Sequence, residues 1–362
     1  MRTKLPRNTV LVGDVRTRLK ELPSASVDCV VTSPPYFLLR DYDVSGQIGH
    51  EATVTEWVDE LRIVLQGIAR VLKPMGSVWL NVADSYSRHA RFGAAPKSLL
   101  LGPERLAVAL EADGWTIRNR ICWAKSNPMP ASVTDRLTCT WEFVYVLTRS
   151  RTYFFDLDAI RIPHTTRRMT QHSNGGSTLP GRTERPKWAG PLAGSQDGLA
   201  RLKAQGLSGH RLGKNPGDHW VTAASNYRGA HFATFPTQLL ERPILVSCPE
   251  RTCTTCGSPW KRMANASPQS RGVLSPQCAC RPSWRRGVVL DPFFGAGTVG
   301  VVAEANGRDW LGIELNPAFA GLATRRITEA RVSTTVNRPL TTKGGAHHGA
   351  RKSKQSTTTT RN

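Results

Sequence analysis

Acidic residues are scarce in this chain. Among 362 residues, 27 aspartates and glutamates face 49 lysines and arginines, which leaves a formal net charge of +22. Such an excess favours a polyanionic partner, either nucleic acid or an anionic membrane surface. No apolar run approaches the roughly 18 residues needed to cross a bilayer, and the opening MRTKLPRNTV lacks the apolar core of a signal peptide. We therefore expect no membrane partner and a cytoplasmic protein.

Signals for disulfides and for phosphate binding are also few. Eight cysteines in a chain of this length do not make a disulfide scaffold. No G-K-[ST] motif is present, so a nucleoside triphosphate has no evident cradle. Residues 331–362 contain no acidic side chain, and we expect them to form a disordered basic tail.

Short β-rich runs alternate with helical periodicity in the first part of the chain. The runs are SVDCVVT, GSVWLNV, TIRNRICWA and EFVYVLT, and apolar residues recur at helical spacing between Trp57 and Leu72. This alternation predicts an α/β fold with a central, mostly parallel sheet. Between residues 165 and 225 the pattern gives way to a basic insertion rich in Gly, Ser, Pro and Arg.

Glycines follow an apolar strand in the segment VVLDPFFGAGTVG, which contains Asp291, Gly295, Gly297 and Thr298. Glycine lets the backbone bend sharply and lets a ligand approach closely. Glu314, at the end of the next predicted strand, has a carboxylate suited to accept hydrogen bonds from ribose hydroxyls. The pattern predicts a site for an adenosine ligand without phosphates, and an ordinary tight turn is the alternative.

A second apolar run stops abruptly in CVVTSPPYFLLRDY. Prolines 34 and 35 offer no backbone N–H to a strand ladder and restrict φ. By itself the segment is most simply a Pro-Pro turn that ends a buried strand.

Together, DPFFGAGT and TSPPY resemble the motifs of the S-adenosylmethionine-dependent DNA amino-methyltransferases, which modify N4 of cytosine or N6 of adenine. The catalytic motif precedes the cofactor motif, as in the permuted β group of that family. The resemblance implies a Rossmann-like methyltransferase fold. It also implies a catalytic half at residues 1–164, a target-recognition insertion at 165–225 and a cofactor-binding half at 226–330.

The same resemblance implies where the cofactor would bind. Asp14 in LVGD matches the acidic position near the cofactor's adenine, HFATFP matches the motif beside its methionine part, and Glu314 would hold its ribose. The implied cofactor-binding residues are Asp14, His231, Phe235, Pro236, Asp291, Phe293, Phe294, Gly295, Gly297, Thr298, Glu314 and Asn316.

The SPPY motif implies a mechanism for an amine whose lone pair is conjugated to its ring. Ser33 Oγ and the Pro34 carbonyl would accept hydrogen bonds from its two N–H groups and so draw the nitrogen toward tetrahedral geometry. Pro35 would help to fix the turn. Tyr36 would stack on a base flipped out of duplex DNA. Positioning for direct, in-line transfer would be the main catalytic contribution.

In that family, Ser at the first motif position favours cytosine N4 and Asp favours adenine N6, so TSPPY favours cytosine N4, with adenine N6 as the alternative. Carbon-5 methylation would need the thiolate of a Pro-Cys pair, and the chain has no Pro-Cys dipeptide.

Four cysteines form two close pairs: Cys253 and Cys256 in CTTCG, and Cys278 and Cys280 in QCACR. Their separation is that of a zinc ribbon, and Gly257 permits the turn that such a site needs. We predict a structural zinc knuckle within residues 248–284, although the second pair is tighter than usual. Free thiols and disulfides are the alternatives.

Several segments are assigned lesser roles. NVADSY and WAKSNPMP resemble segments that line the family's catalytic pocket, and Trp123, Lys125 and Asn127 rank below SPPY as site residues. Arg136 and Glu142 are expected to form a structural pair.

The partner implied is duplex DNA, with a cognate restriction endonuclease as a further candidate and no indication of oligomeric state. RNA methylation and a non-catalytic DNA-binding protein that keeps the fold are the alternative functions.

Overall fold

The computed structural model describes residues 4–163, 210, 212–224, 235–263, 273–281 and 283–336. Most of the predicted recognition insertion, together with His231 and residues 337–362, lies outside these ranges.

Within the described residues the chain forms six α-helices and two short 3₁₀ helices. The α-helices are α1 Val15–Glu21, α2 Val54–Val71, α3 Gly102–Ala112, α4 Thr237–Ser247, α5 Thr298–Ala305 and α6 Pro317–Val336. The 3₁₀ helices are Ala90–Phe92 and Leu157–Ala159. The segment with helical spacing between Trp57 and Leu72 lies largely within α2. This helix begins after Thr53, whose side chain accepts a hydrogen bond from the Glu56 amide.

Eight strands build the main sheet in the order β1-β12-β11-β2-β3-β5-β4-β6. They are β1 Thr9–Val12, β2 Val27–Thr32, β3 Leu72–Val82, β4 Thr116–Lys125, β5 Trp141–Thr148, β6 His219–Thr222, β11 Val288–Asp291 and β12 Asp309–Glu314. Four two-residue strands lie outside it and form two small antiparallel pairs, β7 Thr252–Cys253 with β10 Trp284–Arg285, and β8 Lys261–Arg262 with β9 Leu274–Ser275.

The sheet is mixed. Strand β5 runs antiparallel to its neighbours β3 and β4, while the remaining five pairings are parallel. The predicted α/β architecture is therefore confirmed, with one reversed strand inserted near one side.

Apolar residues cover both faces of the sheet. Helices α1, α2 and α3 pack on one face with Leu19, Trp57 and Leu106 in a single buried cluster. Helices α4, α5 and α6 pack on the other face, where Ile244 and Val299 are fully buried. Parallel strands covered on both sides read as continuous apolar runs, which explains the composition of β2 and β11.

The boundary predicted for the basic tail is wrong by six residues. Residues 331–336 continue α6 to Val336. Arg331 Nε donates to Glu304 Oε2 on α5 over 2.6 Å, and this ion pair ties the last turns of α6 to the body of the protein. Among the described residues, no helix is both long and apolar enough to cross a membrane.

Candidate active site

The two sequence motifs meet at adjacent strands. Ser33 follows β2 directly and Asp291 ends β11, and these strands pair in parallel with Leu290 beside Val30. Thr32 Oγ1 donates to Asp291 Oδ1 over 2.6 Å, which links the two strand ends. The chain leads from β2 to β3 on one side and from β11 to β12 on the other, so this is where the strand order reverses. Ligands of open α/β sheets bind outside the carboxyl ends of strands at such a point.

A cleft of about 870 Å³, including its open mouth, lies over these strand ends. The predicted site residues that line it are Asp14, Ser33, Pro35, Phe235, Asp291, Phe293, Phe294, Gly295, Thr298, Glu314 and Asn316. Of the other predicted residues, Pro34, Tyr36, Pro236 and Gly297 are next to lining residues in the chain, and His231 lies outside the described residues.

The glycine turn is held by the acidic residue predicted to bind ribose. Gly295 N donates to Glu314 Oε2 over 2.7 Å, and Asn316 N donates to Glu314 Oε1 over 2.9 Å. Gly295 and Gly297 have φ values of +50° and +73°, in the left-handed region that favours glycine. Burial raises the pKa of the Glu314 carboxyl, although these backbone N–H groups oppose the rise. The carboxylate thus shapes the turn that a ligand would meet.

Packing below the turn explains two further residues. Phe294 stacks on Trp310 with ring centroids 5.1 Å apart, so its ring also supports the turn from the core. Gly300 completes a G-x-G-x-x-G spacing that our sequence interpretation overlooked. A Cβ at Gly300 would lie 2.6 Å from Ile327 Cδ1 and 2.9 Å from Phe294 Cζ. This glycine therefore permits close packing of α5, in agreement with the third position of such motifs.

Asp291 is a buried carboxyl at the centre of the site, 1% exposed. Burial raises its pKa to about 7, while the hydrogen bond from Thr32 and the Phe293 amide act in the opposite direction. Because the ionised form is costly here, a cationic ligand beside Asp291 would be favoured by neutralising it.

Asp14 caps the start of α1 and lines the same cleft. Its side chain accepts a hydrogen bond from Arg16 N over 2.7 Å and also pairs with the Arg16 guanidinium. Hydrogen bonding with Arg16 lowers the pKa of Asp14. The group is therefore an anion that can accept hydrogen bonds from a ligand.

The SPPY turn is fixed by side chains from two other elements. Trp57 Nε1 on α2 donates to the Pro35 carbonyl over 3.0 Å. Tyr36 Oη donates to Glu142 Oε2 over 2.7 Å, and Ser33 Oγ donates to Tyr36 Oη over 3.2 Å. The SPPY turn is thus part of a hydrogen-bonded network that ends on a carboxylate of β5.

The predicted pairing of Arg136 with Glu142 is wrong. Lys125 Nζ lies 2.5 Å from Glu142 Oε1, whereas the Arg136 guanidinium stacks over the Tyr86 ring at 3.8 Å. The register of the sheet explains this choice. Glu142 lies opposite Trp123, so Lys125, two residues farther along β4, projects on the same face as a diagonal neighbour.

Other contributors to the cleft carry no signal that our interpretation recognised. The loop after SPPY supplies Tyr42, Val44, Gln47 and Ile48 to the lining. Nothing in the composition of this loop distinguishes it from an ordinary connection, because its role depends on where it folds back over the strand ends.

The four predicted metal ligands converge. The sulfur atoms of Cys253, Cys256, Cys278 and Cys280 all lie within 4.8 Å of one another. Gly257, after the first pair, has a φ of +73°. Cys248, a conceivable substitute ligand, is instead fully buried in the cluster beneath α4 and α5. The arrangement can hold one metal ion with four thiolates.

The fold has a counterpart among solved structures. The fold is similar to that of a solved structure described as PvuII DNA methyltransferase (cytosine-N4-specific), with a TM-score of 0.54 and 16% sequence identity, covering 92% of this chain and 95% of that one. At this identity the similarity shows the fold alone, which is the Rossmann-like fold expected for a methyltransferase.

Sequence comparison identifies the family. Residues 27–325 match the model of the N6/N4 DNA methylase family. Two relatives are the Type II methyltransferases M.Cfr9I of Citrobacter freundii, 32% identical over 88% of this chain and 87% of the relative, and M.SmaI of Serratia marcescens, 32% identical over 89% and 91%. The chain therefore belongs to the N6/N4 DNA methylase family.

Proposed function

We propose that this DNA methyltransferase transfers the methyl group of S-adenosylmethionine to the exocyclic N4 of cytosine at a specific site in duplex DNA. The observation that carries the proposal is the junction of SPPY and the glycine turn at one cleft, where Thr32 bonds to Asp291. The glycine turn and the carboxylates of Asp14 and Glu314 line this cleft, and Ser rather than Asp heads the catalytic motif. Adenine N6 is the second candidate target.

The roles follow from the positions of the side chains. Asp14 and Glu314 offer acceptors for the adenosine part, and Asp291 offers a buried carboxylate to the cationic part. When bound, S-adenosylmethionine supplies an electrophilic methyl group. Ser33 Oγ and the Pro34 carbonyl accept hydrogen bonds from the N–H groups of the target amine and hold its nitrogen in line with that methyl group.

The proposal is tested by identifying the modified nucleoside. The protein is incubated with tritiated S-adenosylmethionine and mixed-sequence duplex DNA, and the product is digested to nucleosides. Label in N4-methylcytosine is the expected result, whereas label in N6-methyladenine would overturn the base assignment alone. Preferential labelling of structured RNA in a competition assay would favour the RNA alternative. Cofactor binding with no label on either polymer would favour a non-catalytic DNA-binding protein.

A role in restriction and modification is part of the proposal. Relatives that span most of the chain are named Type II methyltransferases. We propose that this enzyme protects DNA against a cognate restriction endonuclease, and that residues 165–225 read the target sequence. The test is to map the methylated site and ask whether methylation there blocks an endonuclease of the same specificity.

We also propose that the cysteine cluster holds one structural zinc ion. Tetrahedral zinc with Zn–S bonds of ~2.3 Å keeps its sulfurs ~3.8 Å apart, which fits four sulfurs within 4.8 Å. Four thiolates leave no open coordination position, so the ion would stabilise structure and take no part in methyl transfer. One equivalent of zinc in elemental analysis of the purified protein is expected, and its absence from protein purified with zinc would contradict the proposal.

A further inference from the structure

Glu142 is a buried carboxylate beside the catalytic turn that the proposed transfer does not use directly. Its side chain comes from β5, and the residue is 8% exposed. Three different side chains converge on its two oxygens. A buried carboxylate with this many partners has a defined orientation, and the question is what it orients.

One oxygen is committed to a cation. Lys125 Nζ lies 2.5 Å from Glu142 Oε1. The other oxygen accepts from Asn81 Nδ2 over 3.0 Å and from Tyr36 Oη over 2.7 Å. Asn81 Nδ2 also donates to the Phe143 carbonyl, so the amide is anchored to β5 as well. Lys125 and Asn81 thus hold the carboxylate in place.

The Tyr36 hydroxyl has one proton, and Glu142 Oε2 is its shortest acceptor. Asn81 Oδ1 is farther away, at 3.3 Å. With its proton directed at Glu142, the Tyr36 oxygen is free to accept, and Ser33 Oγ donates to it over 3.2 Å. The Ser33 hydroxyl proton is therefore directed at the Tyr36 oxygen, and the lone pairs of Ser33 Oγ remain for a ligand.

We propose that Glu142 is a positioning residue that acts through Tyr36 to set the direction of the Ser33 hydroxyl. The Tyr36 hydroxyl donates its proton to the carboxylate, and the Ser33 hydroxyl donates its proton to the Tyr36 oxygen. Ser33 Oγ is then left as an acceptor for the target amine, and this chain of hydrogen bonds strengthens it as an acceptor. This inference rests on the proposed function, because it assigns Ser33 Oγ to an amine N–H. It gives Lys125 and Asn81 the role of holding the carboxylate.

The test is a pair of double-mutant cycles that join each residue to Ser33. Tyr36→Phe keeps the ring and removes the hydroxyl, and Glu142→Gln keeps the shape and removes the charge. In the wild-type background we expect each change to lower kcat about tenfold with KM for S-adenosylmethionine unchanged. In a Ser33→Ala background we expect each to change the rate less than about twofold, since residues that act as a unit are not additive.

Rates in the Ser33→Ala background are measured as single turnovers with tritiated cofactor, which detects slow transfer. The full tenfold loss in that background would overturn the inference, as would unchanged kcat in the single variants. Asp113→Asn is the matched control, because Asp113 is another ion-paired carboxylate, bonded to Arg62, and is not among the residues that line the cleft.

Thermal melting separates the inference from a loss of structure. If Glu142→Gln unfolds, Tyr36→Phe carries the test alone, because it removes one hydroxyl and leaves the Lys125–Glu142 pair intact. A wild-type enzyme that methylates DNA but shows additive cycles would refute the positioning role only. A wild-type enzyme with no methylated product on DNA would refute the proposed function itself.

Discussion

The two ends of the central sheet carry two different kinds of cluster. The cleft lies at the carboxyl ends of the strands. It is lined by residues that are far apart in the chain, among them Asp14, Ser33, Asp291 and Glu314. The cysteine cluster belongs to the segment between α4 and β11. This segment begins and ends near the amino ends of the strands, where Gly287 N donates to the Pro249 carbonyl. Gly257 there lies near Lys73, at the start of β3.

Under the proposed function, this difference separates a site of chemistry from a site of structural support. The end with the cleft depends on the order of the strands, because adjacent strands must bring Ser33 and Asp291 together. The cysteine end depends on one short stretch of chain, so its geometry can form with few distant contacts. We therefore expect changes at one end to leave the function of the other end intact.

Removing the Ser33 hydroxyl is expected to have the largest effect. Ser33→Ala should lower kcat by about 10²–10³-fold, the usual cost of losing one preorganised polar contact in a catalytic site. Affinity for S-adenosylmethionine and zinc content should not change. Single-turnover kinetics and cofactor titration check the prediction, and full activity in the variant would contradict the assigned mechanism.

Disrupting the cysteine cluster should reverse that pattern. Cys278→Ser is expected to lower the melting temperature by about 5–10 °C through loss of zinc, while cofactor affinity at low temperature is preserved. Cys139→Ser is the control, because Cys139 is exposed and lies outside the cluster. An unchanged melting temperature in Cys278→Ser, measured by calorimetry, would show that the cysteine cluster does not stabilise the protein.

Affinity for S-adenosylmethionine should rise with pH around neutrality. The pKa of Asp291 is about 7 in the folded protein, above its ordinary value of 3.8. The protein therefore loses stability as the pH rises from 3.8 to about 7, where the unfolded chain has released this proton and the folded protein still holds it, and the loss is constant above that range. The cationic sulfonium favours the ionised form and lowers that pKa in the complex. Affinity should therefore increase about tenfold between pH 6 and 8 and then level off.

Calorimetric titrations across this pH range measure the effect. S-adenosylhomocysteine carries no sulfonium charge but shares the amino and carboxyl groups of the cofactor, so it is the matched ligand and should show a weaker dependence. Asp291→Asn should abolish the difference between the two ligands. Equal pH dependence for both ligands would show that Asp291 does not sense the charge.

The smallest effect is expected at a surface pair. Arg331 is half exposed and pairs with Glu304 across α5 and α6. Arg331→Ala should cost at most about 0.5 kcal/mol of the free energy of unfolding, since exposed ion pairs contribute little. Denaturant unfolding measures this value. A loss several times larger would show that the end of α6 supports the sheet more than its exposure indicates.

Much of this architecture could be predicted from local patterns. The periodicity around Trp57 predicted α2, and the apolar runs predicted β2, β3, β4 and β5. The reversed direction of β5 was not predicted, because strand direction depends on which strands pair. The end of α6 was also missed, since residues 331–336 look like a basic tail until Arg331 meets Glu304.

The site shows the same division. The motifs named Ser33, Asp291 and Glu314, and all three line the cleft. Glu142 was assigned the wrong partner, because Arg136 lies much nearer to it along the chain than Lys125 does. Only the register of β4 against β5 selects Lys125.

By itself, the sequence determined which chemical groups this protein offers: a Ser-Pro-Pro-Tyr turn, a glycine turn followed by a carboxylate, and two pairs of thiols. These depend on residue type and on spacing over a few residues, where the covalent chain restricts the geometry. Only the tertiary structure decided that β2 lies beside β11, so that Thr32 reaches Asp291, and that the Tyr36 hydroxyl points at Glu142. The physical reason is that such contacts depend on strand order and register, which the packing of the whole sheet selects.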